Sequence, residues 1–286
     1  MQRPLLAAVS TVVVTLAACA SLAHADVVDT RMLEQNVPVD AGETLVVVVH
    51  NVFGSVHVTA HDLPSIAMTA TETVRGDLRA DIDRARAEVE LKTEREPGRV
   101  AFRVRRIGDD GDCACRNYQW EGYRVEYQIE LRVPRAAAVD LSTVNDGDVT
   151  VDGVQGDFEV RNVNGAVRLL GLRGTGRATT VNGDIEASFA RAPAEPTAFK
   201  TVNGSLDVAF PDDLSAELEF QTMHGEVYTD FDLEPISQTG GAERTRERGM
   251  FVLNSNRESA FRVRSGGHRH SFHTLNGDIY VRKAAQ

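Results

Sequence analysis

Five side chains in two short stretches of this 286-residue chain are soft enough to hold a transition metal or to enter redox chemistry. Cys113 and Cys115 lie in G-D-D-G-D-C-A-C-R-N-Y-Q-W-E-G, and His268, His270 and His273 lie in G-G-H-R-H-S-F-H. Thiolate and imidazole are the usual ligands of zinc and copper, and two of the three histidines share a strand face. Nothing in the spacing makes the two groups meet, so the chain is expected to carry no metal and no cofactor. In an oxidising compartment Cys113 and Cys115 can instead bridge each other, across a small and strained ring. The remaining cysteine, Cys19, ends Leu16-Ala17-Ala18-Cys19, a lipobox-like phrase that would make it a lipidated first residue. Asp184 and Asp278 could supply the paired acids of a carbohydrate-active enzyme. Both recur inside a repeated phrase, however, and no G-x-S-x-G, H-E-x-x-H or phosphate-cradling glycine loop is present. The expectation is that the protein is not an enzyme.

The phrase that holds those aspartates organises the chain. It reads T-V-N-D-G-D-V at 143–149, V-N-G-A-V at 163–167, T-V-N-G-D-I at 180–185, T-V-N-G-S-L at 201–206, T-M-H-G-E-V at 222–227 and T-L-N-G-D-I at 274–279. Gly147, Gly156, Gly165, Gly174 and Gly183 stand 9 residues apart. Nine residues make one short strand and a bend, so two such units close one coil of a solenoid. Alternation within each unit places Val181, Ile185, Ala187 and Phe189 inside, and Thr180, Asn182, Asp184, Glu186 and Ser188 outside. Later units repeat this with Val202, Leu206, Val208 and Phe210, and with Leu275, Ile279 and Val281. The glycines suit a point where a Cβ would strike the next coil or where the backbone needs positive φ. Stacked in register, Asn164, Asn182, Asn203, His224 and Asn276 form an outer polar ladder. Asn-Gly is turn chemistry that satisfies backbone groups; the same ladder, with Asp184, Ser205 and Asp278, could also be a ligand-facing stripe.

The rest of the chain divides around this repeat. Residues 1–25 read as an export signal, with Arg3, an apolar run and the small-x-small site Ala23-His24-Ala25. Residues 26–137 read as a β-rich region with one helix, and 138–286 as the Asn-Gly solenoid. In the first of these, Val52, Gly54, Val56 and Val58 reproduce the repeat's frame. Asp77 is placed to cap a helix over Leu78 to Val89, with Leu78, Ile82, Ala85 and Val89 on one face, covering the open end of the stack. Glu96-Pro97-Gly98-Arg99 is a turn, and Tyr123 to Val133 alternates as a strand. Phe231 to Gly249 reads as an exposed loop ahead of the last coil. Without Arg3 the chain carries 30 basic against 42 acidic residues, which argues against a nucleic-acid binder. From Gly240 to Gln286 the balance reverses, with 9 basic against 4 acidic residues. That asymmetry is either a solvated surface or an attraction to anionic lipid.

The alternating strand into Val133-Pro134, the serial N-G-D-I phrases and the closing S-G-G followed by T-L-N-G-D-I-Y-V-R-K resemble the putative adhesin family of bacterial envelope proteins, DUF4097. The resemblance runs from about Thr44 onward and implies an all-β fold, a parallel β-solenoid or β-helix-like stack of short strands. It also implies a place at or outside the membrane and no established activity. The Cys113 to Trp120 loop and the histidine-rich bend fall outside the shared pattern. The expected role is an exported periplasmic or extracellular protein that binds an envelope polymer, glycan or protein partner. Alternatives are a structural or envelope-stress accessory module without its own ligand, and an outer-membrane lipoprotein touching the membrane only through Cys19.

Overall fold

The computed structural model describes residues 26–39, 44–108, 122–236, 243–247, 250–254 and 259–284. The export signal, Cys19, Cys113, Cys115 and Trp120 lie outside the described residues. The N-terminal part holds β1 (Val27–Pro38), β2 (Val46–His50), β3 (Val56–His61), β4 (Ser65–Gly76), α1 (Arg79–Glu88), β5 (Val89–Glu96), β6 (Arg99–Arg106) and β7 (Tyr123–Pro134). The repeat forms β8 (Ala138–Ser142), β9 (Val149–Asp152), β10 (Phe158–Arg161), β11 (Val167–Leu172), β12 (Gly176–Thr179), β13 (Ile185–Phe189), β14 (Thr197–Lys200) and β15 (Leu206–Phe210). It continues with β16 (Ala216–Gln221), β17 (Val227–Thr229), β18 (Glu234–Pro235), β19 (Glu243–Glu247), β20 (Met250–Asn254), β21 (Ser259–Val263), β22 (Arg269–His273) and β23 (Ile279–Lys283).

These strands make two facing sheets of 12 and 11 strands, and each coil contributes one strand to each. The fold is therefore an all-β solenoid-like stack with one short helix, parallel through its middle and antiparallel at both ends. The inner faces are apolar because strand alternation directs every second residue inward. Ile185, Ala187 and Phe189 are buried beside Leu206, Val208 and Phe210. Phe199, Phe272 and Phe220 stack from coil to coil with ring centroids 5.7 and 5.5 Å apart. Burying each such side chain contributes about 1.5–3 kcal/mol, realised only when a neighbouring coil covers it.

Order along the stack departs from order along the chain at both ends. The β6/β7 coil lies outside the β2/β3 coil, so the chain passes over β2/β3 before laying down β8/β9. At the other end β22/β23, the last coil in sequence, is inserted between β14/β15 and β16/β17. Charge favours that insertion. Arg269 pairs with Glu217 and Glu219 of β16, Arg282 with Asp207 of β15, and Lys283 with Asp212. Much of the basic C-terminal excess is thus spent against neighbouring coils. The segment read as a loop after Phe231 in fact carries β18 and the β19–β20 hairpin, which extend the two sheets beyond the last coil.

At the N-terminal end α1 connects β4 in one sheet to β5 in the other and packs Ile82 and Ala85 inward, with Val89 buried just past its end. Asp77 does not cap it. The Asp81 Oδ2 accepts the Leu78 N–H at 2.9 Å, and Leu78 faces solvent. Beneath the helix, Glu72 is almost fully buried and is held by Arg31 of β1, Arg86 of α1 and the hydroxyl of Tyr127. A carboxylate removed from water requires such partners.

Glycines set the coil spacing. A Cβ on Gly183 would lie 2.1 Å from the Gly165 carbonyl oxygen, and one on Gly165 would lie 2.2 Å from that of Gly147. The column continues through Gly204, Gly277 and Gly225 with the same close approach. Gly183→Ala must force two backbones apart and is expected to lose at least ~3 kcal/mol of stability in urea unfolding. Gly171→Ala, whose Cβ would meet nothing nearer than 3.9 Å but whose φ is +64°, should lose only about 1–2 kcal/mol.

Candidate binding surface

Each repeat turns one corner of the stack, and the corner inverts the alternation that holds in the strands. Thr143, Thr180, Thr201, Thr222 and Thr274 are buried there, whereas Val181, Leu275 and Met223 are 38%, 41% and 58% exposed. Val202, expected inside, is only partly covered. The inward threonine has a specific partner. Thr180 Oγ1 donates to the Gly165 carbonyl at 3.1 Å, Thr201 to Gly183 at 2.9 Å, Thr274 to Gly204 at 2.9 Å and Thr222 to Gly277 at 3.1 Å. Asn162 takes the same place in its coil, donating from Nδ2 to the Gly147 carbonyl. A glycine carbonyl overhung by the next coil would otherwise be buried without a partner, so the hydroxyl belongs inside and the aliphatic residue after it is turned out.

Beyond that aliphatic residue stands the asparagine. Asn164 Nδ2 donates to Asn145 Oδ1, Asn182 to Asn164, Asn203 to Asn182 and Asn276 to Asn203, all at 2.7–2.9 Å. His224 occupies the next position, paired with Asn276 through the backbone. The structure therefore brings Asn164, Asn182, Asn203 and Asn276 into one exposed column, in the spatial order of the coils. The aspartates that follow are tied to backbone: Asp184 Oδ1 accepts the Ser205 N–H at 2.7 Å, and Asp278 Oδ1 the Glu226 N–H at 2.9 Å. Ser205 Oγ in turn accepts the Asp278 N–H at 3.3 Å. Asp184 and Asp278 are two strand spacings apart, about 10 Å.

The three histidines separate. His270 is buried, its Nδ1 2.9 Å from Thr197 Oγ1, and its ring stacks on Phe210. Burial, with a smaller contribution from His268, pushes its pKa down to about 4. His273 faces outward, with Nε2 3.2 Å from Glu219 Oε1. Among the described residues no group of three or more His, Cys, Asp or Glu side chains is placed to hold a metal.

The Toastrack DUF4097 family model matches residues 108–281. The chain belongs to the DUF4097 family. In this DUF4097 protein the matched span begins just before β7 and ends in β23, and so takes in every corner of the repeat from Thr143 onward. No curated protein matches the chain. Among solved structures it is similar to a protein described as a putative cell adhesion protein from Clostridium sporogenes, at 12% identity and a TM-score of 0.42, covering 90% of this chain and 100% of that one. It is similar also to a putative adhesin from Bacteroides fragilis, at 9% identity, TM-score 0.28, and coverage of 88% and 97%. A putative lipid binding protein from Parabacteroides distasonis matches at 8% identity, TM-score 0.29, and coverage of 90% and 97%. Likeness at this level says nothing of ligand or activity.

The buried His270 gives this DUF4097 protein a pH dependence of known sign. Its folded pKa lies below the unfolded value near 6.5, so the unfolded chain binds the proton first. Its contribution is fully present above about pH 6.5 and is lost as pH falls toward 4, by about 3 kcal/mol in all. Urea unfolding from pH 7.5 to 4 should show wild type losing that much more stability than His270→Gln; parallel curves would refute the assignment.

Proposed function

We propose that this protein is an exported, non-catalytic component of the cell envelope that binds an extended surface glycan along the corner of its stack. The observation that carries this reading is a pair of parallel rows, one exposed and one partly exposed. One is the asparagine column, and the other is the aliphatic row Val144, Val163, Val181, Val202, Leu275 and Met223 beside it. An asparagine amide has two N–H donors and two acceptor lone pairs, and the lengthwise ladder uses one of each. Each ladder amide thus retains a donor and an acceptor at a fixed rise of about 4.8 Å. Sugar rings present apolar C–H faces beside hydroxyls, the complement of an aliphatic row flanked by amides. A rigid straight scaffold carries no ordering cost when a long ligand lies along it. Export fits the signal-like residues 1–25 and an adhesin-like family, and Cys19 offers lipid anchoring as a second way of staying at the envelope.

An accessory role without a ligand is the competing reading, favoured by the lengthwise bonds that already occupy half of each amide. Retention of purified protein on immobilised envelope polysaccharide separates the two. Asn182→Ser with Asn203→Ser, confirmed as folded by circular dichroism, should weaken retention at least about tenfold. Retention equal to wild type would remove the corner as the binding surface, and no retention of either protein would favour the accessory role.

A further inference from the structure

The outer face of the second sheet carries a groove of about 600 Å³. Its floor is made by small side chains on two adjacent strands, Ala198 of β14 and Ser271 of β22, paired directly across the sheet. Its walls are long charged side chains on the strands to either side: Glu159 and Arg177 on β10 and β12, and Glu219 on β16, with Arg269 of β22 leaning over it. The groove therefore runs along the strands, two strands wide. Lys200 stands two residues beyond Ala198 on the same face, at one end.

The charges around this groove are not equivalent. Glu219 shares the guanidinium of Arg269, at 3.1 Å, with Glu217 and faces His273 at 3.2 Å. Glu159, directly across from Arg177, shares Arg161 at 3.2 Å with Asp140. Arg177 and Lys200, by contrast, have no acid within ion-pair distance among the described residues, in a chain whose formal net charge is -11. They sit diagonally on neighbouring strands, about 8 Å apart, close enough to share one anionic group or to hold two successive ones. The Ser271 hydroxyl on the floor adds a donor between the walls.

We infer that this groove is a second binding site, for the anionic groups of a linear carboxylate- or phosphate-bearing polymer. The paired acids leave the guanidinium of Arg177 and the ammonium of Lys200 as the free charges, and the small floor admits a chain between them. The site lies on the sheet face, with its Lys200 end bordering the corner, and its variants are distinct from those of the corner rows.

The test is affinity electrophoresis of the full chain through gels containing oligogalacturonate, inorganic polyphosphate or neutral dextran. Wild type should be retarded by at least one of the anionic probes and not by dextran, and the probe that retards it more identifies carboxylate or phosphate as the natural group. Arg177→Gln with Lys200→Gln should lose about tenfold in affinity or more. Ala198→Gln, which keeps every charge and fills the floor, should lose as much. Arg95→Gln with Arg132→Gln removes the same charge from exposed sites elsewhere and should stay within about twofold of wild type. An equal loss in that control would reduce the effect to overall charge and overturn the proposal. Free migration of wild type through both anionic gels would also overturn it, as would binding to phosphatidylglycerol vesicles with neither polymer retained. Neither Asn182→Ser nor Asn203→Ser should alter retardation, so a failed groove leaves the glycan reading of the corner intact, and the reverse.

Discussion

One backbone passing directly over another at the corner of each coil is the constraint on which the rest of this structure depends. Parallel hydrogen bonding fixes the rise at about 4.8 Å, and at the corner the glycine of one coil overhangs the carbonyl of the previous one. No side chain fits in that space, so the glycine column is obligatory. Overhung carbonyls also lose their water, and the buried Thr or Asn three residues before the overhanging glycine restores a donor. Each such bond contributes about 0.5–1.5 kcal/mol net, but leaving the carbonyl bare would cost more than its absence elsewhere. The T-V-N-G phrase is the local solution to this one crossing.

The outer surface follows from the same crossing. Once the threonine is committed inward, the next residue must project outward, and an aliphatic row appears on the surface without any reference to a ligand. The asparagine beyond it bonds to its counterparts above and below, as identical side chains stacked in register can do. A row that exists to close the coils is thereby also straight and periodic, and the recognition proposed for it would draw on the same residues.

Much of this was legible in the sequence. The period of nine, the inward glycines and the dry residues Ile185, Ala187, Phe189, Leu206 and Val208 follow from alternation alone. The corner defeated alternation because period two assumes an extended chain, and Thr180-Val181-Asn182-Gly183 is a bend. Strand β1 left only a weak signal, because Val27, Leu33 and Val37, which pack against the core, are interspersed with Asp29, Arg31 and Gln35, whose polar contacts pin this edge. The spatial order of the coils was equally hidden. Repeats that resemble one another can stack in several orders with similar cores, and the distinguishing information lies in charges such as Arg269 and Arg282 whose partners are 50 or more residues away. For the candidate surface, the sequence supplied the asparagines; the aliphatic row beside them was assigned to the core.

The inserted coil also has a meaning in time. Strand β23 completes its ladder with Leu206 to Phe210 on one side and Val227 to Thr229 on the other, although the chain lays those two down long before it. Until the residues of β22 and β23 arrive, β14/β15 and β16/β17 each present an open strand edge and an uncovered row of phenylalanines. The chain cannot therefore be zipped up from one end as each repeat emerges. Its closing contact spans 73 residues, a loop-closure cost that must be met before those edges are covered. A chain threaded across a membrane in an extended state would keep its stack unsealed until its final repeat had crossed.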